Sequence, residues 1–132
     1  MKLLLTISAL FFLNCSSGQQ PLQKATDSLL NELNKETVDS VKVNLLSKIA
    51  LKYAEVDPDK AIEYCNSGLA IAKKKNLKKH MSGFYQSLGN AYNNKGLSGT
   101  AVPFLDSALN LQQEMLDKKG IAITKNNIAK AY

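Results

Sequence analysis

Three tyrosines set a period in this chain. Tyr53, Tyr92 and Tyr132 are separated by 39 and 40 residues, and each closes a similar phrase. The phrases are Ile49-Ala50-Leu51-Lys52-Tyr53, Leu88-Gly89-Asn90-Ala91-Tyr92 and Ile128-Ala129-Lys130-Ala131-Tyr132. Each runs large aliphatic, then Gly or Ala, then two residues, then Tyr. Self-similarity at such a spacing marks a repeat architecture, in which one supersecondary unit buries its apolar face only against the next copy. That constrains the fold more than any feature of composition.

The unit is helical. Leu46, Ile49, Ala50 and Tyr53 recur at i, i+3, i+4 and i+7, as do Tyr85, Leu88, Gly89 and Tyr92, so each set lines one helix face. Gly89 falls mid-helix, where it costs about 1 kcal/mol relative to Ala. Close approach of a partner helix presenting Ala101 is the expected compensation, with Ala50 and Ala61 making the same contact one repeat earlier. Tyr53 and Tyr92 are expected to fill the gap between neighbouring repeats. Asp57-Pro58-Asp59 reads as a helix start, with an N-cap acid and Pro in the first turn. Gly96 suits the left-handed residue that closes a helix. Ser98 or Thr100 would then cap the following helix, with Pro103 near its first turn, where it is tolerated. Asp117-Lys118-Lys119-Gly120 reads as a joint.

The second copy carries the fullest pattern. Tyr85, Leu88, Gly89, Tyr92, Gly96, Ala101, Leu105 and Ala108 fall at the spacing of the tetratricopeptide repeat (TPR) signature, and the chain resembles a TPR protein over about residues 40–132. The first copy follows with Leu46, Ile49, Ala50, Tyr53, Ala61, Cys65 and Gly68, its inter-helix turn one residue shorter. The third has Lys125, Ile128, Ala129 and Tyr132. The resemblance implies an all-α fold, a helix-turn-helix solenoid in which antiparallel helix pairs wind into a right-handed superhelix. The period is longer than the roughly 34 residues of the standard repeat.

The organisation expected is a leader over 1–18, a capping helix and joint over 19–40, repeats over 41–80 and 81–119, and the first helix of a third over 120–132. In the leader, Lys2 precedes an apolar run from Leu3 to Leu13, and Ser16-Ser17-Gly18 offers small residues before Gln19. This reads as a secretory signal peptide. The run is shorter than the roughly 20 residues of a membrane-spanning helix. Lipidation at Cys15 is the rival reading, against which stands Asn14 where a small residue is usual. Leu22, Leu29, Leu30 and Leu33 place an amphipathic helix over 22–34, covering the first repeat as terminal caps do. The third repeat has no second helix within these residues, so the chain is expected to be the front of a longer protein, exported to the periplasm or cell envelope.

Charge adds little. Of 132 residues 17 are lysine, none is arginine and 11 are acidic, a net +6 that falls to +5 if Lys2 leaves with the leader. Lys73-Lys74-Lys75 and Lys78-Lys79 beside His80 form the densest basic stretch. It is read as a solvated helix end whose lysines complement the macrodipole, with His80 in an exposed loop. Without arginine or interleaved aromatics it does not look like a nucleic-acid surface, and no nucleic-acid partner is expected. Cys65, the one thiol outside the leader, falls where a small core residue belongs. No Cys/His spacing suits zinc, no glycine-rich phosphate loop occurs, and His80 has no evident acid partner for a hydrolytic triad. The chain is expected to be no enzyme, with no metal and no cofactor.

The resemblance locates a groove. In TPR proteins the first helix of each pair turns residues away from its partner onto a concave face. By position these are Asn44, Ser47, Lys48 and Leu51 in the first repeat. Gln86, Asn90, Asn93 and Asn94 follow in the second, and Asn126, Asn127 and Lys130 in the third. The set is rich in amides, which offer donor and acceptor together to an extended peptide. The TPR positions that grip acidic chaperone tails include a Lys with an Asn four residues on. Ser47 and Leu51 stand there, so that specialised role is not expected. A protein or extended peptide is the expected partner, and a membrane is reached only through Cys15 or through chain beyond Tyr132. Two functions follow: an exported TPR scaffold binding a protein or peptide, or, as the alternative, a sensing region. The second rests on similarity to the N-terminal sensing regions of bacterial TPR-containing sensor histidine kinases.

Overall fold

The structure, a computed structural model, describes residues 20–132. The leader expected over 1–18, with Cys15, lies outside these. The described residues form six α-helices and no strand: α1 (Gln20–Lys35), α2 (Asp39–Tyr53), α3 (Pro58–Lys74), α4 (Lys78–Asn94), α5 (Ser98–Glu114) and α6 (Lys118–Ala129). The all-α class follows. None of these helices is long and apolar enough to cross a membrane.

Each helix packs on its neighbours in sequence. Beyond that, α2 touches α4 and α4 touches α6, whereas α1, α3 and α5 do not approach one another. The even-numbered helices therefore form an inner row and the odd-numbered ones an outer row. An inner row that closes up while the outer row stays apart leaves a concave side lined by α2, α4 and α6.

The connections have a rule the sequence shows only once. Asn76, Gly96 and Leu116 stand 20 residues apart, and all three adopt positive φ, at 52°, 72° and 56°. At each, the amide of the next residue reaches back five positions: Leu77 to Ala72, Leu97 to Tyr92 and Asp117 to Gln112, every one at 2.9 Å. This is the Schellman closure, which satisfies the last carbonyls of a helix through one left-handed residue. The residue after it is at once the N-cap of the next helix. The forty-residue period thus divides into two twenty-residue halves. The α1–α2 and α2–α3 turns depart: neither has a left-handed residue, and the second closes on Tyr53 through the amides of Val56 and Asp57.

Capping agrees with the sequence at one end and not at the other. Asp57 accepts the Lys60 amide at 3.1 Å and Pro58 opens α3. At α5 the cap is Leu97, with no side-chain hydrogen bond, in place of Ser98 or Thr100. Pro103 is the sixth helical residue and not a first-turn residue. The bond it forgoes would run to Gly99, which is exposed, so that carbonyl can turn to water. Asp117 is no joint residue: it caps α6 by accepting the Gly120 amide at 2.9 Å, and Lys118 and Lys119 are already helical.

The core runs between the rows. Val43, Leu46 and Ala50 of α2, Cys65, Leu69 and Ala72 of α3, and Phe84 and Leu88 of α4 form one buried cluster, with Leu33 of α1 packed against it. Ile49 and Ala61 are also buried. Leu22, Leu29 and Leu30 of α1 are half-buried, and α1 packs on α2 alone, as a cap would. Two glycines let helices approach. A Cβ at Gly68 would fall 2.1 Å from Phe84 Cζ; at Gly89 it would meet Leu105 at 2.5 Å and the Ala101 carbonyl at 3.2 Å. The close approach expected at Gly89 is present, though Leu105 is its tighter neighbour. Ala101 and Ala108 are fully buried on the same helix.

Tyr92 packs against the buried cluster that spans α2, α3 and α4, and both inner tyrosines have an aromatic partner. Tyr53 stacks on Tyr64, with centroids 5.8 Å apart, and Tyr92 stacks on Phe104 at 5.4 Å. Both contacts lie within a helix pair, α2–α3 and α4–α5. Each tyrosine ends an inner helix and so faces the second turn of the helix folding back beside it. Tyr132, beyond α6, is 93% exposed. Tyr85 is half-buried, in a tilted contact with Phe104.

Candidate functional site

The concave side carries a hollow of about 400 Å³, lined by Ala54, Glu55, Asn90, Asn93, Asn94, Asn127 and Lys130. It gathers the C-terminal ends of the three inner helices. Five of the eleven groove residues expected from the repeat pattern meet here: Asn90, Asn93, Asn94, Asn127 and Lys130.

Two of the asparagines tie the helix ends together. Asn94 donates from Nδ2 to the Ala54 carbonyl at 3.2 Å, and Asn93 donates from Nδ2 to the Asn127 carbonyl at 3.2 Å. The last turn of α4 thereby clamps the ends of α2 and α6. A carbonyl can only accept, so each amide must present its NH₂ group to the backbone and turn Oδ1 away. Asn93 Oδ1 is buried and no donor reaches it. Leaving such an acceptor unpaired costs about 1–3 kcal/mol.

The other six expected positions lie elsewhere on the concave side or are already engaged. Asn44 donates to the Ser40 carbonyl and faces His80 Nε2 at 3.0 Å. Gln86 Oε1 accepts from Gln112 Nε2 at 3.1 Å and from Thr124 Oγ1 at 3.3 Å. Ser47 is half-buried, while Lys48, Leu51 and Asn126 are exposed, Leu51 at 64%. Sequence reading by position alone missed Ala54 and Glu55. The signal available was that 54 and 55 correspond to Asn93 and Asn94 one period on.

The basic stretch is dispersed by its own helices. Lys73 and Lys74 end α3, where they complement its dipole, but Lys78 and Lys79 begin α4, where they oppose it. Lys75 pairs with Asp39 at 3.1 Å and Lys78 with Glu114 at 3.0 Å, while Lys73 lies 5.4 Å over the Tyr85 ring. His80 is no loop residue: it is half-buried in the first turn of α4 against Asn44. It belongs to the helix because the left-handed turn at Asn76 lets α4 start two residues before it.

Burial pushes the Cys65 thiol up to about 12, against a smaller opposing effect of a hydrogen bond with Ser87. Such a thiol is inert at neutral pH. Among the described residues no group of His, Cys, Asp and Glu could hold a metal ion. Compared with family models, curated proteins and solved structures, the chain matches none.

Proposed function

We propose that this chain is a TPR-type solenoid, a right-handed stack of helix pairs, that serves as an interaction module and captures an extended segment of a partner protein on its concave side. The observation that carries this reading is the amide-lined hollow where α2, α4 and α6 end. Amides arrayed along an open concave surface can hydrogen-bond a peptide main chain without demanding one sequence. The two-row packing and the Gly68 and Gly89 notches support the solenoid. The leader over 1–18 supports an exported location, so the partner is sought in the cell envelope.

Selection from a random peptide library tests the site. Asn90 makes no side-chain hydrogen bond among the described residues and is half-buried on the hollow's wall, so Asn90→Trp fills the hollow without breaking a helix tie. Peptides that enrich on the parent and fail to bind Asn90→Trp support the reading. Peptides that bind both proteins equally, or no enrichment at all, overturn it.

A further inference from the structure

The hollow is weighted towards acceptors. We infer that it takes a positively charged N–H donor, the ammonium of a lysine or the guanidinium of an arginine, presented by the bound peptide. This rests on the reading of the hollow as a peptide site and adds which side chain that site prefers.

Four observations point the same way. Asn93 and Asn94 each give one N–H to the Asn127 and Ala54 carbonyls, which turns both amide oxygens away from those helix ends, with no protein donor on either among the described residues. Asn93 Oδ1 is buried and unpaired, so it makes no contact with a guest but leaves an uncompensated partial negative charge behind the wall. The hollow lies where three helices end, and helix C-termini carry partial negative charge. No basic side chain occupies the last turn of α4 or α6, Lys52 in the last turn of α2 is exposed and does not line the hollow, and Lys95, which follows α4, is drawn away into an ion pair with Asp59. Glu55 adds a carboxylate to the wall and has no cation within salt-bridge reach among the described residues.

Lys130 is the counterargument and the control. It lies on the rim with no ion-pair partner among the described residues. If the hollow instead favours acidic peptides, Lys130 is the group that recognises them. The net positive charge of the chain also favours an acidic partner at long range. Screening over about 8 Å at physiological salt confines that effect, so the local acceptors decide the preference.

The test uses three end-blocked, fluorescent peptides of one Gly/Ser background, with a central Lys-Lys, Gln-Gln or Glu-Glu, titrated against the full chain. The lysine peptide is expected to bind about tenfold more tightly than the glutamate peptide at low salt. Glu55→Gln should weaken the lysine peptide about threefold, and Lys130→Met should tighten it by a similar factor. Both residues are exposed and neither variant touches the core. Preference for the glutamate peptide, lost in Lys130→Met, overturns the inference and leaves the hollow a peptide site. Equal binding of all three, abolished by Asn90→Trp, also overturns only the inference. Binding of none, or binding that ignores Asn90→Trp, overturns both.

Discussion

Phe84 and Thr124 hold the same place in successive inner helices, forty residues apart, and meet opposite surroundings. Phe84 seats its ring where Gly68 has no side chain, inside a cluster of Cys65, Leu69, Ala72 and Leu88. One period later Gly68 becomes Ala108 and Ala72 becomes Gln112. The added methyl stands where a ring would go, and the residue arriving is Thr124. It is fully buried, yet its hydroxyl bonds Gln86, which also holds Gln112. Gln112 is 2% exposed and its Oε1 has no partner. The first joint is held by apolar burial and shape. The second is held by a small amide network that leaves an acceptor unmet, and such networks stabilise only when complete. One repeat pattern therefore builds joints of unequal strength, the weaker one under α6.

The sharpest break of that contrast is Phe84→Ala. It empties the best-filled site and should cost about 3–5 kcal/mol by denaturant unfolding. Thr124→Ala, the matching change in the second joint, should cost far less, and equal losses would remove the distinction. Next come the glycine notches. Gly68→Ala and Gly89→Leu should each destabilise by about 1–3 kcal/mol through overpacking, with Gly89→Leu at the upper end. Either variant melting no lower than the parent would contradict the close crossings. Leu116→Gly should stabilise by about 1 kcal/mol, because Leu116 is left-handed and 82% exposed, and glycine relieves that strain. A lower melting temperature would place strain elsewhere.

Gln112→Leu is expected to stay within about 1 kcal/mol of the parent, since it removes the unmet acceptor together with one hydrogen bond while Thr124 keeps Gln86. A loss as large as that of Phe84→Ala would show the amide network to be the stronger joint. Smallest at neutral pH is the contribution of Cys65. Its folded pKa, raised by burial to about 12, exceeds the ordinary thiol value of 9.0, so the unfolded chain loses the proton first. Stability from this group is intact below about pH 9 and declines between about 9 and 12. Cys65→Val should flatten that alkaline decline, measured as unfolding free energy against pH.

Much of the outer plan was legible. Helix faces, the Asp57-Pro58 start, the left-handed Gly96 and the inner position of Asn90 and Asn94 all follow from spacing and residue chemistry. Other features were not. Asn76 and Leu116 take the same turn as Gly96, but no composition flags a leucine for positive φ; the closure is imposed by helices of fixed length packing side by side. Pro103 was misplaced because Leu97, and not Ser98 or Thr100, caps α5. The aromatic partners of Tyr53 and Tyr92 were not legible, because periodicity gives a face and not a partner.

The sequence by itself determined a periodic all-helical chain and the faces that must be buried, since both depend on residues a few positions apart. Only the tertiary structure decided which amides give an N–H to which helix ends, and hence which way their oxygens turn. Asn93 meets Asn127, and Asn94 meets Ala54, across 34 and 40 residues. An asparagine carries donor and acceptor alike, and its neighbours in space choose which of the two it shows.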